Sequence, residues 1–200
     1  MQKIGYTPRR FLKIGPVVFV LFLVLASLLA ATLVIKSRFS DGGWHTLWSR
    51  TIGGYAIDYP AGWSFDMFAG GFHGDEQQVA LLWRELPFPV IEIRRKEFHH
   101  PSLQDVSDWG RQRIAEQYMR PGFKYEIMPE ETVVLGNNTV IMREYTIYAE
   151  LSPPLQKKDA YIARADDGFV ITLSARGDDY VEVEPLFDQV VATFRSLPSN

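Results

Sequence analysis

Hydrophobic positions follow three patterns along this chain. Residues 16–35 form an unbroken apolar run without a charge. Between 45 and 175, apolar and polar residues alternate in short stretches, the period-two signature of half-buried strands. After residue 182, apolar positions recur at spacings of three and four, as on one face of a helix.

The alternation predicts strands over 45–48, 55–59, 64–68, 77–86, 90–94, 123–128, 131–135, 139–149, 157–165 and 169–175. Turn chemistry separates them: Gly53-Gly54, Pro60-Ala61-Gly62-Trp63, Pro87 and Pro89, Gly136-Asn137-Asn138, and Asp166-Asp167-Gly168. Residues 69–76 read as a glycine-rich loop, and Ser152-Pro153-Pro154 as the opening of another. One helix interrupts the strands. Ser102 caps it, with Asp105 where a capping box usually has Glu. Leu103, Val106, Gly110, Ile114 and Tyr118, with Trp109 beside them, make its buried stripe. Pro121-Gly122 ends it. A second helix is expected over 182–197, with Val183, Leu186, Phe187, Val190, Val191 and Phe194 on one face and Pro185 in its first turn. The fold class is therefore α+β: an antiparallel sheet of about six to eight strands flanked by two principal helices and preceded by one N-terminal transmembrane helix.

A helix over 16–35, at about 1.5 Å per residue, is about 30 Å long, the thickness of a bilayer's hydrocarbon core. A cleaved signal peptide has a shorter apolar core and a small-x-small site. This run instead ends in Thr32-Leu33-Val34-Ile35-Lys36; cleavage near Ala30 and Ala31 is the alternative. Lys3, Arg9, Arg10 and Lys13 precede the run, and only Lys36 and Arg38 follow it, which favours a cytoplasmic N-terminus. The expected organisation is a cytoplasmic tail over 1–15, a span over 16–35, a linker over 36–44 and an extracytoplasmic domain over 45–200. Small residues at Ala26, Ser27, Ala30 and Ala31 give the span a stripe for close helix packing.

Charge sharpens this division. Six of the 21 Lys/Arg lie in residues 1–40, so 15 remain in 41–200 against all 24 Asp/Glu, a formal charge of −9. So acidic a domain is a poor partner for nucleic acid, whose phosphates need clustered cations. The chain has no cysteine, which excludes a disulfide framework, a thiolate nucleophile and a cysteine metal site.

Tyr55-Ala56-Ile57-Asp58-Tyr59-Pro60-Ala61-Gly62-Trp63 resembles the strand and Tyr-Pro-x-Gly-Trp turn that opens PsbP-like and Mog-type domains. The middle helix after a Ser-Leu start resembles theirs too. So does the close, where the strand Phe169-Val170-Ile171-Thr172-Leu173 is followed by a helix ending in Phe194-Arg195-Ser196. The resemblance spans roughly residues 45–197. It implies an α/β/α sandwich, a structural role for Trp63, no shared catalytic set, and a role as a subunit or binder of a partner protein.

The residues themselves offer little chemistry. His99-His100, with His73, is the one histidine cluster, but neighbouring residues on a strand point to opposite faces, so no metal site is expected. Asp166-Asp167 and Asp178-Asp179 are paired carboxylates without an EF-hand pattern. No Gly-x-Ser-x-Gly elbow occurs, and Gly70-Gly71-Phe72-His73-Gly74 lacks the lysine of a phosphate loop. Asn137-Asn138-Thr139 matches a glycosylation sequon. Phe65, Phe68 and Phe72 flank the loop 69–76 as a possible apolar interface. The sequence thus points to a non-enzymatic, membrane-anchored binding module. No catalytic, cofactor or metal residues are expected. The interface would be Phe65, Phe68, Phe72 and the span's Ala26 and Ala30, with integral membrane proteins as partners. A free-standing envelope protein binding a small ligand or metal ion is the alternative.

Overall fold

The structure is a computed structural model that describes residues 43–49, 54–67, 72–73, 76–119 and 121–197. Its strands are β1 (Trp44–Ser49), β2 (Tyr55–Pro60), β3 (Ser64–Asp66), β4 (Phe72–His73), β5 (Glu76–Trp83), β6 (Val90–Glu97), β7 (Phe123–Ile127), β8 (Glu131–Leu135), β9 (Asn138–Ala149), β10 (Ser152–Ala163), β11 (Asp167–Ala175) and β12 (Arg195–Ser196). Its helices are α1 (Leu103–Tyr118) and α2 (Asp178–Ala192). The main sheet runs β3-β5-β6-β11-β10-β9-β7, with β4 on β5 and β8 on β9, and every pairing is antiparallel.

One expectation needs correcting here. The single sheet of six to eight strands is a nine-stranded sheet plus a separate three-stranded one, β1-β2-β12. Tyr55, Ile57 and Tyr59 make one face of β2 apolar, and that face buries against the main sheet beside α2 instead of extending the sheet's edge.

Strand alternation sorts the main sheet into two unlike faces. Met142, Ile162, Phe169, Ile171, Leu173, Ile91 and Ile93 point to one side, where they pack with α2 and the small sheet. Trp63 is buried there, as the resemblance implied. Tyr161, Asp159, Arg143, Tyr145, Thr172 and Arg94 point the other way, toward α1. The apolar α2 side holds the main core, while the α1 side is polar and carries two small clusters around Val106 and Ile114.

Both halves of the capping box form at α1: the Asp105 amide donates to the Ser102 hydroxyl at 3.2 Å, and the Ser102 amide donates to the Asp105 carboxylate at 2.7 Å. The second helix starts four residues earlier than its periodicity indicates and ends before Phe194. Gly177, at φ +50°, turns the chain into it, and Asp178 and Asp179 occupy its first turn, where the helix dipole favours them. Pro185 therefore sits inside the helix, not in its first turn, and removes one main-chain hydrogen bond. Pro153 and Pro154 do not open a loop; they lie in β10 where its register against β9 shifts, and a bulge tolerates their missing N–H groups.

Among the described residues, no helix is long and apolar enough to cross a membrane. The span read over 16–35, with Ala26 and Ala30, lies outside the described residues.

Candidate functional site

The α1 side of the sheet is covered unequally. Over β9 and β10 the helix seals a polar layer. Arg143 is 1 % exposed. Its guanidinium donates to the Tyr161 hydroxyl at 2.8 Å and to Ser107 Oγ at 3.0 Å, and pairs with Glu130. Tyr161 donates to Asp159 at 2.8 Å, and Tyr145 reaches the same carboxylate at 3.4 Å. Lys157 Nζ donates to the Tyr118 hydroxyl at 3.2 Å. Burial first, and the Asp159 charge second, hold the Tyr145 and Tyr161 hydroxyls well above the usual tyrosine range. These groups are matched donor to acceptor and shielded from solvent, so the layer serves as structure.

Over β5 and β6 the cover is incomplete, and a cleft of about 490 Å³ opens between helix and sheet. Glu76 lies at its centre. The Trp109 indole N–H donates to one carboxylate oxygen. Arg113 Nε stands 3.2 Å and Arg94 3.6 Å from the other. Arg94 also pairs with Glu92 at 2.6 Å, while its buried Nε has no hydrogen-bond partner among the described residues. Lys96, Gln112, Glu116 and Gln117 complete the rim. Three cations, two carboxylates, an indole and two primary amides give the cleft a polar lining suited to a hydrogen-bonding ligand.

This cleft escaped the reading of the sequence. Its signal was present in β6, where Glu92, Arg94 and Lys96 alternate with Ile91 and Ile93. A strand that is apolar on one side and charged on the other must face something polar. That Trp109, Gln112 and Arg113 would lie opposite required the docking of α1.

The proposed aromatic interface is described only in part. Phe65 is 42 % exposed on β3, with its ring edge-on to Tyr59 at 5.9 Å. Phe72 lies on β4, and Phe68 lies outside the described residues. The histidine pair departs from the alternation argument. His99 and His100 follow the end of β6, and His100 adopts φ +51°, which brings the two rings to 4.6 Å. With Asp166 they place three ligand atoms within 4.8 Å of one another at the surface. His100 Nδ1 lies 3.1 Å from the Ala165 carbonyl oxygen. Asp178 and Asp179 instead belong to α2, and Asp179 pairs with Arg84 at 3.1 Å.

No family model matches the chain, and no curated protein matches it. Solved structures do. Cyanobacterial PsbP (CyanoP) from Synechocystis aligns at TM-score 0.61 and 17 % identity, covering 78 % of this chain and 94 % of its own. LpqN, described as involved in cell envelope biogenesis of Mycobacterium tuberculosis, aligns at TM-score 0.51 and 11 % identity, covering 80 % and 94 %. A Mog1 mutant aligns at TM-score 0.48 and 12 % identity, covering 78 % and 97 %. The chain has the PsbP-like fold.

Proposed function

We propose that this chain is a membrane-anchored, extracytoplasmic, non-enzymatic binding module that serves as an accessory or assembly subunit of a membrane protein complex. The span over 16–35 supplies the anchor, and the cleft around Glu76 receives a polar segment of the partner. The observation that carries the binding reading is the half-covered polar face of the main sheet. A charged face that α1 seals over β9 and β10 is left open over β5 and β6, with an orphaned Arg94 donor in its wall. An envelope role for LpqN, which shares the fold, agrees with this placement.

The test is the native mass of the full chain extracted in mild detergent, with mass spectrometry of co-migrating proteins. A defined larger assembly is expected, and it should dissociate when Gln112→Trp and Gln117→Trp fill the cleft. A particle of one chain and its micelle would overturn the subunit reading.

A second reading rests on the His99, His100 and Asp166 cluster: a surface site for a divalent transition metal such as zinc. Calorimetric titration with zinc, repeated on His100→Ala, decides it. Identical heats from the two proteins would sink it.

A further inference from the structure

The outer face of β1 carries a feature that the cleft does not account for. Along this strand His45, Leu47 and Ser49 point inward, while Trp44, Thr46 and Trp48 point outward. Trp44 is 43 % exposed and Trp48 is 60 % exposed. Four residues apart on one strand, they stand about 13 Å from each other. Two large indoles on one outward face are costly in water and belong where apolar and polar media meet. Tryptophan has that character: a broad apolar ring with one N–H donor, enriched at membrane–water interfaces.

Chain connectivity says which surface is in reach. Residues 36–43 link the apolar run to Trp44, so an extended linker reaches at most about 28 Å. Among the described strands, β1 is the first to follow the run. The charges on this face also fit. Residues 41–200 are strongly acidic, yet the carboxylate facing outward beside Thr46, that of Asp58, is neutralised. It accepts from the Thr46 hydroxyl at 2.7 Å and pairs with Arg195 at 3.2 Å. Arg195 and Trp48 are both in register with Ala56, so the guanidinium and the indole flank Ala56 across β2 on this face. It is compatible with a zwitterionic headgroup layer.

We propose that the outer face of β1 lies in the headgroup region of the bilayer, with Trp44 and Trp48 as interfacial anchors that fix the domain's orientation. This rests on the membrane anchor of the preceding reading. The contact would hold the small sheet against the membrane and set where the Glu76 cleft meets a partner.

The experiment uses the full chain reconstituted into phosphatidylcholine vesicles with and without brominated acyl chains, with tryptophan emission as the readout. All five tryptophans lie at or after residue 44, so the span contributes no signal. Brominated lipid is expected to quench wild-type emission. The quenching should fall in Trp44→Ser and in Trp48→Ser and be lost in the double variant. Wild-type emission that brominated lipid leaves unchanged, in a chain that resists alkaline carbonate extraction, overturns this proposal and leaves the anchor standing. Quenching retained in the folded double variant also overturns it. Tryptophans unquenched by lipid but shielded from acrylamide by added membrane proteins would give the face to a protein partner instead. Release of the chain by carbonate overturns the anchor itself, and the proposal with it.

Discussion

A Cβ built on Gly110 would stand 2.0 Å from Cε1 of Tyr161. The helix α1 and the strand β10 approach so closely at this point that only a hydrogen fits between them. Tyr161 in turn bridges Arg143 and Asp159, so the contact sets the depth at which α1 lies on its polar layer. Gly110→Ala would gain about 1 kcal/mol of helix propensity. It would lose more from overpacking, which costs about 1–3 kcal/mol and more where backbone must move. A net loss of stability is expected, and urea unfolding measures it; a variant as stable as wild type would mean that α1 docks less tightly.

Arg143 and Asp159 are the two most deeply buried charges of that layer. Arg143→Ala leaves Glu130, Ser107 and the Tyr161 hydroxyl without their shared donor. Breaking a buried pair from one side costs about 3–5 kcal/mol. Pairing it with Glu130→Gln in a double-mutant cycle should show coupling of about 1–3 kcal/mol. Additive losses would show that the two groups act independently.

Alkaline pH should unfold this domain. Lys158, on the other face of β10, is buried among Glu184, Asp188 and Glu144. Burial alone would depress its pKa, but the Glu184 hydrogen bond and the Asp188 and Glu184 charges reverse that and raise it. Tyr145 and Tyr161 are raised by burial. Each of these groups holds its proton longer folded than unfolded. Their stabilisation is complete below the unfolded values, near pH 10, and is lost as pH rises toward the folded ones. Each contributes a slope of up to about 1.4 kcal/mol per pH unit in that window. Denaturation midpoints from pH 8 to 12, with tyrosinate absorbance, should fall above pH 10, and less steeply in Lys158→Met. A flat profile would contradict the assignment.

At low pH the capping box gives the opposite sign. The Ser102 side chain and backbone amide hold the Asp105 carboxyl below its usual range. Its contribution is present above the unfolded value, near pH 4, and fades as pH falls through the folded one. Protection factors of the first-turn amides of α1, taken relative to intrinsic exchange at each pH, should therefore fall on acidification, and Asp105→Asn should remove that dependence.

Asn138 ties the hairpin after β8 to the end of α2. Its amide donates to the Phe194 carbonyl at 2.7 Å and to the Val191 carbonyl at 3.3 Å. Val191 lies in the last turn of α2, where its carbonyl also accepts from the Phe194 amide at 3.1 Å, while Phe194 lies past the helix end. Asn138→Ala should cost about 1–3 kcal/mol, since it takes the side-chain donor from the partly buried Phe194 carbonyl. A loss below 0.5 kcal/mol, roughly the scatter of surface substitutions, would show that water replaces the amide.

Much of the secondary structure follows from the sequence because its causes are local. Period-two alternation placed β2, β5, β6, β8, β9 and β11. Ser102 and Asp105 placed the start of α1, and Gly136 the β8–β9 hairpin, whereas Asp167 and Gly168, read as a turn, already belong to β11. Side-chain pattern and turn chemistry act within a few residues, so they can be read without knowing the fold. The apolar run over 16–35 is of the same kind, an expectation set by length and composition alone.

What the tertiary structure decided are the relations between residues distant in sequence. β12 joins β2 and carries Phe194 out of the helix into the core, where its ring stacks on Tyr55 at 5.7 Å. No local pattern foretells that pairing, because its stabilisation comes from burial against partners about 140 positions away. The cleft is the same case: Glu76, Arg94 and Arg113 meet only because α1 packs on β9 and β10 and stops short of β5. Alternation fixed which side of each strand is polar. Helix docking decided how much of that side stays open to a partner, since the packing of Gly110 on Tyr161 sets where the helix can lie.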